Sequence, residues 1–392
     1  MSSFSRRTLI KGAAVAAMAP VLGRAQAAPK RAVVLVYLNG GYNALFGSPQ
    51  AFVGAGTFGV TSSNIQSMGN NLFIDKPTFG TNLPPAALAH IATVGVNHHL
   101  SSHLPAQMSH FVGPNGRSNA LILASAMTGG AATTSLPAVV VGAGTPVGSH
   151  PMEGAISLQR ASDLAPTLDL FGVSGTAGAQ PSRRAALAGM RAAKLQSAPQ
   201  LASSPGSLKS AREAYDGSIA VLGGTAPALA LPELQTAYGV AGTAVSSFTH
   251  QMMAAEAMIK LGTKVVIANN GGWDTHGDIN GTTVRNRMNT VILPGLSKFL
   301  ERMMAAGSGY EVTVAIFGDF ARSLPGSDHA SCLAATVIGH RIKVGSTGNV
   351  DAQVGMASAP GNAGFWSLLA TSGGVAAANN PFGANPHGAL LI

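Results

Sequence analysis

Acidic residues, cysteine and aromatic residues are all scarce in this chain. The sequence has 15 Asp and Glu against 24 Lys and Arg, one cysteine, and 5% aromatic residues over 392 positions. The single cysteine, Cys332, excludes an intramolecular disulfide and a cluster of thiolate metal ligands, so stability must come from packing. We expect Cys332, which lies between Ser331 and Leu333, to be a small buried side chain rather than a nucleophile.

The positive charge is spread thinly along the sequence. No run of five or more basic residues occurs, and few aromatic residues accompany the basic ones. This pattern argues against a nucleic-acid groove and against a basic helix that binds membranes. It remains compatible with a small anionic substrate.

Long apolar segments are also missing. The apolar run from Gly12 to Leu22 is interrupted by Pro20, and it is much shorter than the roughly 20 residues that a membrane span requires. It follows the pair Arg6-Arg7 and precedes Ala25-Gln26-Ala27, a small-x-small cleavage site. We therefore expect residues 1–27 to be a twin-arginine signal peptide, recognised by the Tat translocase and removed by signal peptidase. Residues 28–392 would then form a periplasmic or secreted domain with no permanent membrane span.

Buried strands alternate with helix-length segments in the rest of the chain. The apolar stretch 31–38 ends in Asn39-Gly40-Gly41, which predicts a central strand followed by a tight turn. Further strands are predicted at 92–96, 138–141, 263–268 and 311–317, and helices at 243–261 and 285–306, the second started or kinked by Pro294. The alternation predicts an α/β sandwich with a largely parallel sheet. Residues 175–235, rich in Ala, Ser, Gly and Pro, are predicted to be an inserted helical segment with flexible ends.

Because acids are scarce, an Asp beside a His after a predicted strand is informative. Asp274 and His276 follow the strand at 263–268 in a loop that contains Gly271 and Gly272. In such a loop a carboxylate and an imidazole can turn toward one divalent ion.

A second group of this kind follows the strand at 311–317. It contains Asp319, Arg322 and the pair Asp328-His329. The Asp and His suit a metal site, and the forked donors of Arg322 suit an anionic oxygen. The alternative for both groups is structural, since Asp and His in glycine-rich loops also cap turns and Arg322 could simply pair with Asp319.

A third group combines hydroxyls and imidazoles after the strand at 92–96. Ser101 or Ser102 could be a nucleophile, activated by a metal ion or by His103. A polar loop with surface histidines is the alternative.

Together with the segments 38–45 and 136–139, these motifs resemble an uncharacterised family of Tat-exported, sulfatase-like bacterial proteins grouped with the alkaline phosphatase superfamily. The resemblance implies a three-layer α/β sandwich with a divalent metal site (zinc, calcium, magnesium or manganese) at the carboxyl edge of the sheet. It implies ester hydrolysis assisted by metal ions. By analogy the ligands would be Asp274, His276, Asp328 and His329, the nucleophile Ser102 or Ser101, and the anion clamp Arg322.

The sequence departs from that family at three positions. Asn43 stands where the family usually has an Asp ligand, Asp319 where it has Glu, and Asn39 where it has Arg. The first expectation is therefore an exported metal-dependent hydrolase of phosphate or sulfate esters. The rivals are a catalytically inactive binding or assembly protein of the same fold, which Asn43 favours, and a structural secreted protein, which explains neither Asp-His group.

Overall fold

The computed structural model describes residues 29–113, 116–130, 136–144, 146, 152–153, 156–171, 188–193, 229–324, 326–348 and 359–392. The predicted signal peptide lies outside these residues, as does most of the insertion predicted at 175–235. The described parts of that insertion are helical at 188–193 and from Leu231 onward.

One large sheet organises the chain. The strands of the described residues are β1 (Lys30–Leu38), β2 (Tyr42–Asn43), β3 (Ile65–Gly69), β4 (Leu72–Asp75), β5 (Ile91–Asn97), β6 (Ala138–Val141), β7 (Met152–Glu153), β8 (Ile156–Ala161), β9 (Val265–Asn270), β10 (Tyr310–Gly318), β11 (Ala321–Leu324), β12 (Asp328–His329), β13 (Cys332–Gly339) and β14 (Gly345–Thr347). Nine of them form the sheet in the order β14-β5-β13-β10-β1-β9-β6-β8-β7, while β12-β11-β2 form a small second sheet and β3-β4 a hairpin.

The pairing is mostly parallel. Strand β1 is parallel to β9 and β10, β6 is parallel to β8 and β9, and β14 is parallel to β5. Strand β13 is antiparallel to both of its neighbours, and β7 is antiparallel to β8. The predicted mixed α/β class and largely parallel sheet are confirmed.

Helices cover both faces of the sheet. Within the described residues the labelled α-helices are α1 (Pro85–Leu88), α2 (His103–Phe111), α3 (Asn119–Met127), α4 (Leu164–Phe171), α5 (Leu231–Tyr238), α6 (Phe248–Lys260), α7 (Thr282–Arg287), α8 (Leu293–Met303) and α9 (Asn362–Ser372). In β1, Val34 and Val36 pack into one core together with residues of α5, α6 and α8. Val33, Leu35 and Tyr37 pack into the other core with residues of α3 and α9. The alternation follows from the two-residue period of a strand, and it explains why a strand buried on both faces is apolar throughout.

Two helix predictions are confirmed, with changed boundaries. Helix α6 begins after Ser247, whose hydroxyl accepts a hydrogen bond from His250 N. The segment predicted as one helix at 285–306 consists of α7, a π-helical turn at Met288–Ile292, and α8, with Pro294 in the first turn of α8. Proline fits there because the first turn needs no N–H donor at that position.

The strand directions bring four chain segments to one edge. Strands β1, β5, β9 and β10 all run the same way, so the loops after their carboxyl ends meet. The small sheet β12-β11-β2 lies among these loops, with Asn43 in register with Arg322 and Arg322 in register with His329. No helix of the described residues is long and apolar enough to cross a membrane.

Candidate metal centre

Three histidines and one aspartate converge at this carboxyl edge. His103, Asp274, His276 and His329 each offer one ligand atom, and these four atoms lie within 4.8 Å of one another. Asp274 and His276 are half-exposed, whereas His329 is more deeply set. Asp274 and His276 share one loop, whereas His103 and His329 lie far from them in the sequence, so the sheet topology brings the three segments together.

The loop after β9 holds Asp274 and His276. Trp273 anchors it, because its side chain is buried, its backbone N donates to Asn39 O at 3.1 Å, and its Nε1 donates to the Oδ1 of Asn270 at 2.9 Å. His276 Nε2 then lies 3.2 Å from the Oδ1 of Asp274.

Asp319 orients the ring of His103. The buried Asp319 carboxylate accepts hydrogen bonds from Tyr37 OH and from Gly40 N (3.1 Å), and its Oδ2 lies 2.6 Å from Nδ1 of His103. With Nδ1 held in this way, Nε2 of His103 faces Asp274, 3.6 Å from its Oδ2. A carboxylate behind an imidazole is the arrangement that fixes metal-ligating histidines in proteins. Asp319, which the sequence predicted as a ligand, thus lies behind a candidate ligand, His103.

Burial shifts the pKa values of both partners in this pair. It raises the pKa of Asp319 to about 7, against the opposing effects of the Gly40 hydrogen bond and the Arg322 charge. It lowers the pKa of His103; Asp274 opposes this, and the charges of His329, Arg322 and His276 add to the lowering. The lowered pKa favours the neutral form of His103, which is the form that binds a metal ion.

His329 is oriented by a backbone carbonyl. Its Nδ1 lies 2.7 Å from Ser101 O, so Nε2 is directed at the cluster, 3.9 Å from the Oδ1 of Asp274. The ring also packs against Phe320 at a centroid distance of 4.0 Å.

Asp328 lies at the margin of the cluster. Its side chain is exposed, and its Oδ1 accepts a hydrogen bond from the backbone N of His329 and lies 3.6 Å from Nδ1 of His276. The hydrogen bond from His329 N holds the pKa of Asp328 below its ordinary value. In this arrangement Asp328 contacts the outer side of a candidate ligand.

Arg322 is fully buried and binds Asp274. Its guanidinium donates to Gly40 O at 2.8 Å, to Ser327 O at 2.6 Å and to the Asp274 carboxylate. Pairing with Asp319, the structural alternative, is not what the structure shows. Arg322 holds the Asp274 carboxylate in place, and its grip on a substrate oxygen stays a prediction.

The remaining predicted site residues lie beside the cluster. Asn43 is buried, its Oδ1 accepts a hydrogen bond from Leu45 N, and its Nδ2 has no hydrogen-bond partner. Ser101 and Ser102 are exposed, directly before α2. Within the described residues neither hydroxyl makes a hydrogen bond, so neither is linked to His103.

The donor set fits a zinc-type ion. Three imidazoles and one carboxylate match the ligands that zinc takes in proteins, whereas calcium and magnesium prefer oxygen ligands throughout. Two of the three histidines have their other ring nitrogen held by an acceptor. The sequence pointed to His103 as a base rather than a ligand, because only the fold shows that its Nδ1 is already engaged.

Comparison with known proteins identifies a family for this chain but no characterised relative. A family model described as "Protein of unknown function (DUF1501)" matches residues 67–363, about three quarters of the chain. No curated protein and no solved structure matches the chain.

Proposed function

The chain belongs to the DUF1501 family, and we propose that it is an exported, metal-dependent hydrolase of phosphate or sulfate esters. The observation that carries the proposal is the convergence of His103, Asp274, His276 and His329 at the carboxyl edge of a mostly parallel sheet. Open α/β sheets place their ligands at this edge. The same placement supports a fold of the alkaline phosphatase and sulfatase type.

Under this proposal the four converging side chains hold a divalent ion, with zinc the best match. Bound there, the ion would lower the pKa of a hydroxyl or water and neutralise the oxygens of the ester. Asp319 and Ser101 O would keep two of the imidazoles in the required tautomer, with Nε2 directed at the ion. Nε2 of His329 also lies 3.2 Å from Nη2 of Arg322, so this guanidinium contact would give way to the ion.

Ser102 or Ser101 would supply the nucleophile. The serine Oγ would form a bond to phosphorus or sulfur while the bond to the leaving alcohol breaks, and water would then release the phosphate or sulfate. His103 cannot be both a ligand and the base in this step. Its engaged Nδ1 favours the ligand role, so the proton of the serine would pass to another acceptor, such as solvent.

Export through the Tat translocase and removal of residues 1–27 by signal peptidase belong to the same proposal. The mature protein would act in the periplasm or outside the cell. N-terminal sequencing of the exported protein checks the cleavage position directly.

An inactive relative that binds an anionic ligand is the second candidate. Two observations favour it. The Oδ1 of Asn43 is engaged with Leu45 N, and the Arg322 guanidinium is engaged with Asp274 and two carbonyls. Asn43 Oδ1 and the Arg322 guanidinium are therefore already hydrogen-bonded within the protein, which leaves fewer polar groups free to bind a substrate.

Elemental analysis tests the metal centre first. We expect about one zinc ion per chain in protein purified without chelators or a His tag. Asp274→Ala and His276→Ala should lose most of the metal, whereas Glu301→Gln, which removes an exposed acid on α8, should retain it. A folded wild-type protein free of metal would contradict the proposal, as would an Asp274→Ala variant with full metal content.

Hydrolysis of aryl phosphates and aryl sulfates then separates the two candidates. Activity that is lost in Ser102→Ala or Ser101→Ala, with metal content unchanged, supports the hydrolase. A metal-loaded protein that hydrolyses neither ester class favours the binding protein.

A further inference from the structure

Helix α2 contacts Asp319 at two points on the same side of the helix. At the first residue of α2, Nδ1 of His103 lies 2.6 Å from the Oδ2 of Asp319. About two turns later in the helix, Nε2 of His110 lies 2.8 Å from the backbone O of Asp319. A carbonyl oxygen only accepts, so the His110 ring donates this second hydrogen bond. One helix therefore holds both the side chain and the backbone of the residue that orients His103.

The ring of His110 is held in a fixed position. Its side chain is fully buried, and its other nitrogen, Nδ1, lies 3.0 Å from the Oδ1 of Asn362, the first residue of α9. Asn362 is itself fixed, because its Nδ2 donates to Ser109 O at 2.9 Å. With each nitrogen facing an oxygen of the protein, the ring cannot turn without losing a contact.

The backbone of His110 anchors α2 separately from the ring. His110 O accepts hydrogen bonds from Asn119 Nδ2 at 2.9 Å and from Trp366 Nε1 at 2.8 Å. These two bonds hold the helix to α3 and α9, whereas the Nε2 bond holds the turn after β10. The attachment of α2 and the placement of Asp319 can therefore be separated by mutation.

We propose that His110 is a positioning residue of the candidate metal centre, acting through Asp319 on His103. Its Nε2 bond fixes the backbone at position 319, and with it the place from which the Asp319 carboxylate contacts Nδ1 of His103. Without this donor the buried Asp319 O would lose a hydrogen bond, and the turn would move to find another. The inference rests on the metal centre of the proposed function, and it involves neither the nucleophile nor the class of ester.

A matched pair of amide variants tests the ring contact. The side-chain nitrogen of His110→Gln can reach the position of Nε2, whereas that of His110→Asn reaches only the position of Nδ1. Zinc affinity is measured by competition with a coloured chelator. We expect His110→Asn to bind zinc about 10-fold more weakly, the lower end of the effect of removing a partner behind a ligand. His110→Gln should retain most of the wild-type affinity.

Trp366→Phe is the control for the helix anchor. It removes the donor to His110 O and leaves the ring contact with Asp319 O in place. We expect it to lower the free energy of unfolding, because Trp366 is fully buried, and to bind zinc as tightly as the wild type. A loss of zinc affinity in Trp366→Phe equal to that in His110→Asn would show that general loosening of α2 is the cause, and the proposal would be wrong.

A double-mutant cycle shows whether His110 acts through Asp319. In the Asp319→Asn background His103 has already lost its carboxylate partner, so adding His110→Asn should lower zinc affinity much less than it does in the wild type. The same loss in both backgrounds would contradict the proposal, as would equal affinities of His110→Asn and His110→Gln. A wild-type protein that binds no zinc would contradict the metal centre as well, whereas tight zinc binding by folded His110→Asn would refute only the role of His110.

Discussion

The buried carboxylate of Asp319 connects the strand β1 to the candidate metal centre. It accepts from Tyr37 OH and Gly40 N on one side and contacts His103 Nδ1 on the other. A carboxylate without such partners would be costly at 1% exposure. Because these hydrogen bonds link Asp319 to β1 and to the turn after it, the sheet determines both the position of His103 and the direction in which its Nε2 points.

Asp319→Asn should weaken metal binding while the chain remains folded. The amide cannot accept from as many donors as the carboxylate, so His103 loses its fixed tautomer. We expect a 10- to 100-fold lower metal affinity, the usual effect of removing such a partner. Competition with a coloured chelator measures the affinity, and Glu301→Gln is the control. Unchanged affinity would show that Asp319 does not position His103.

At the scale of elements, the loop after β9 packs directly onto the turn after β1. Gly40 has φ +113°, and a Cβ at this position would overlap the backbone N of Asp274 and approach Trp273 C to 2.7 Å. Two features favour glycine at position 40: its positive φ and the close approach of the two loops, which leaves no room for a Cβ. This contact sets how far Asp274 lies from the other ligands.

Gly40→Ala should therefore destabilise the protein and disturb the metal centre together. Gly129 is a matched control, because it also has positive φ but a Cβ there would meet no atom within 4 Å. We expect a loss of about 1 kcal/mol in the free energy of unfolding for Gly129→Ala, from backbone strain alone. For Gly40→Ala we expect about 3 kcal/mol or more, together with reduced metal content. Urea unfolding and elemental analysis measure the two effects. Equal losses in the two variants would mean that the loop contact is unimportant.

At the scale of the whole molecule, one buried acid joins three helices on one face of the sheet. Glu256 of α6 is 1% exposed and accepts hydrogen bonds from Tyr238 of α5 (2.8 Å) and from Arg302 of α8 (2.8 Å), and Lys260 lies 2.6 Å away. Burial raises the pKa of Glu256, but the hydrogen bonds from Arg302, Lys260 and Tyr238 outweigh it, and the pKa lies below the ordinary value of 4.5.

Glu256→Gln should lower the free energy of unfolding at pH 7, and the difference should shrink in acid. Because the folded-state pKa is depressed, the unfolded state binds the proton more tightly. The stabilisation is thus present above about pH 4.5 and is lost as the pH falls through the lower folded value. We expect about 2 kcal/mol at pH 7, reduced because Arg302 and Lys260 are partly exposed.

Urea unfolding at pH 7 and at pH 3 measures the effect. Glu301→Gln, which breaks an exposed pair with Lys298, should change stability by less than about 0.5 kcal/mol at either pH. A constant difference between wild type and Glu256→Gln across this range would contradict the depressed pKa.

Much of the sheet was predictable because its strands are buried on both faces. The five predicted strands correspond to β1, β5, β6, β9 and β10 within two residues at each end. Strand β13 was not predicted, although Cys332 at its start is buried as expected. Its small residues, such as Ala334 and Ala335, carry a weak signal. The order of the strands and the antiparallel direction of β13 depend on pairing between distant segments, which one sequence does not display.

The sequence by itself determined the alternation of strands and helices and the residue types available for a metal centre. Buried strands and turns are visible in the sequence as apolar runs followed by glycine and polar residues. Asp274, His276 and His329 could therefore be singled out in the loops after their strands. Only the tertiary structure decided that His103 joins them, that Asp319 supports His103 from behind, and that Asp328 lies outside. Those roles depend on which side chains meet across loops from β5, β9 and β10, and such contacts are set by the packing of the whole sheet.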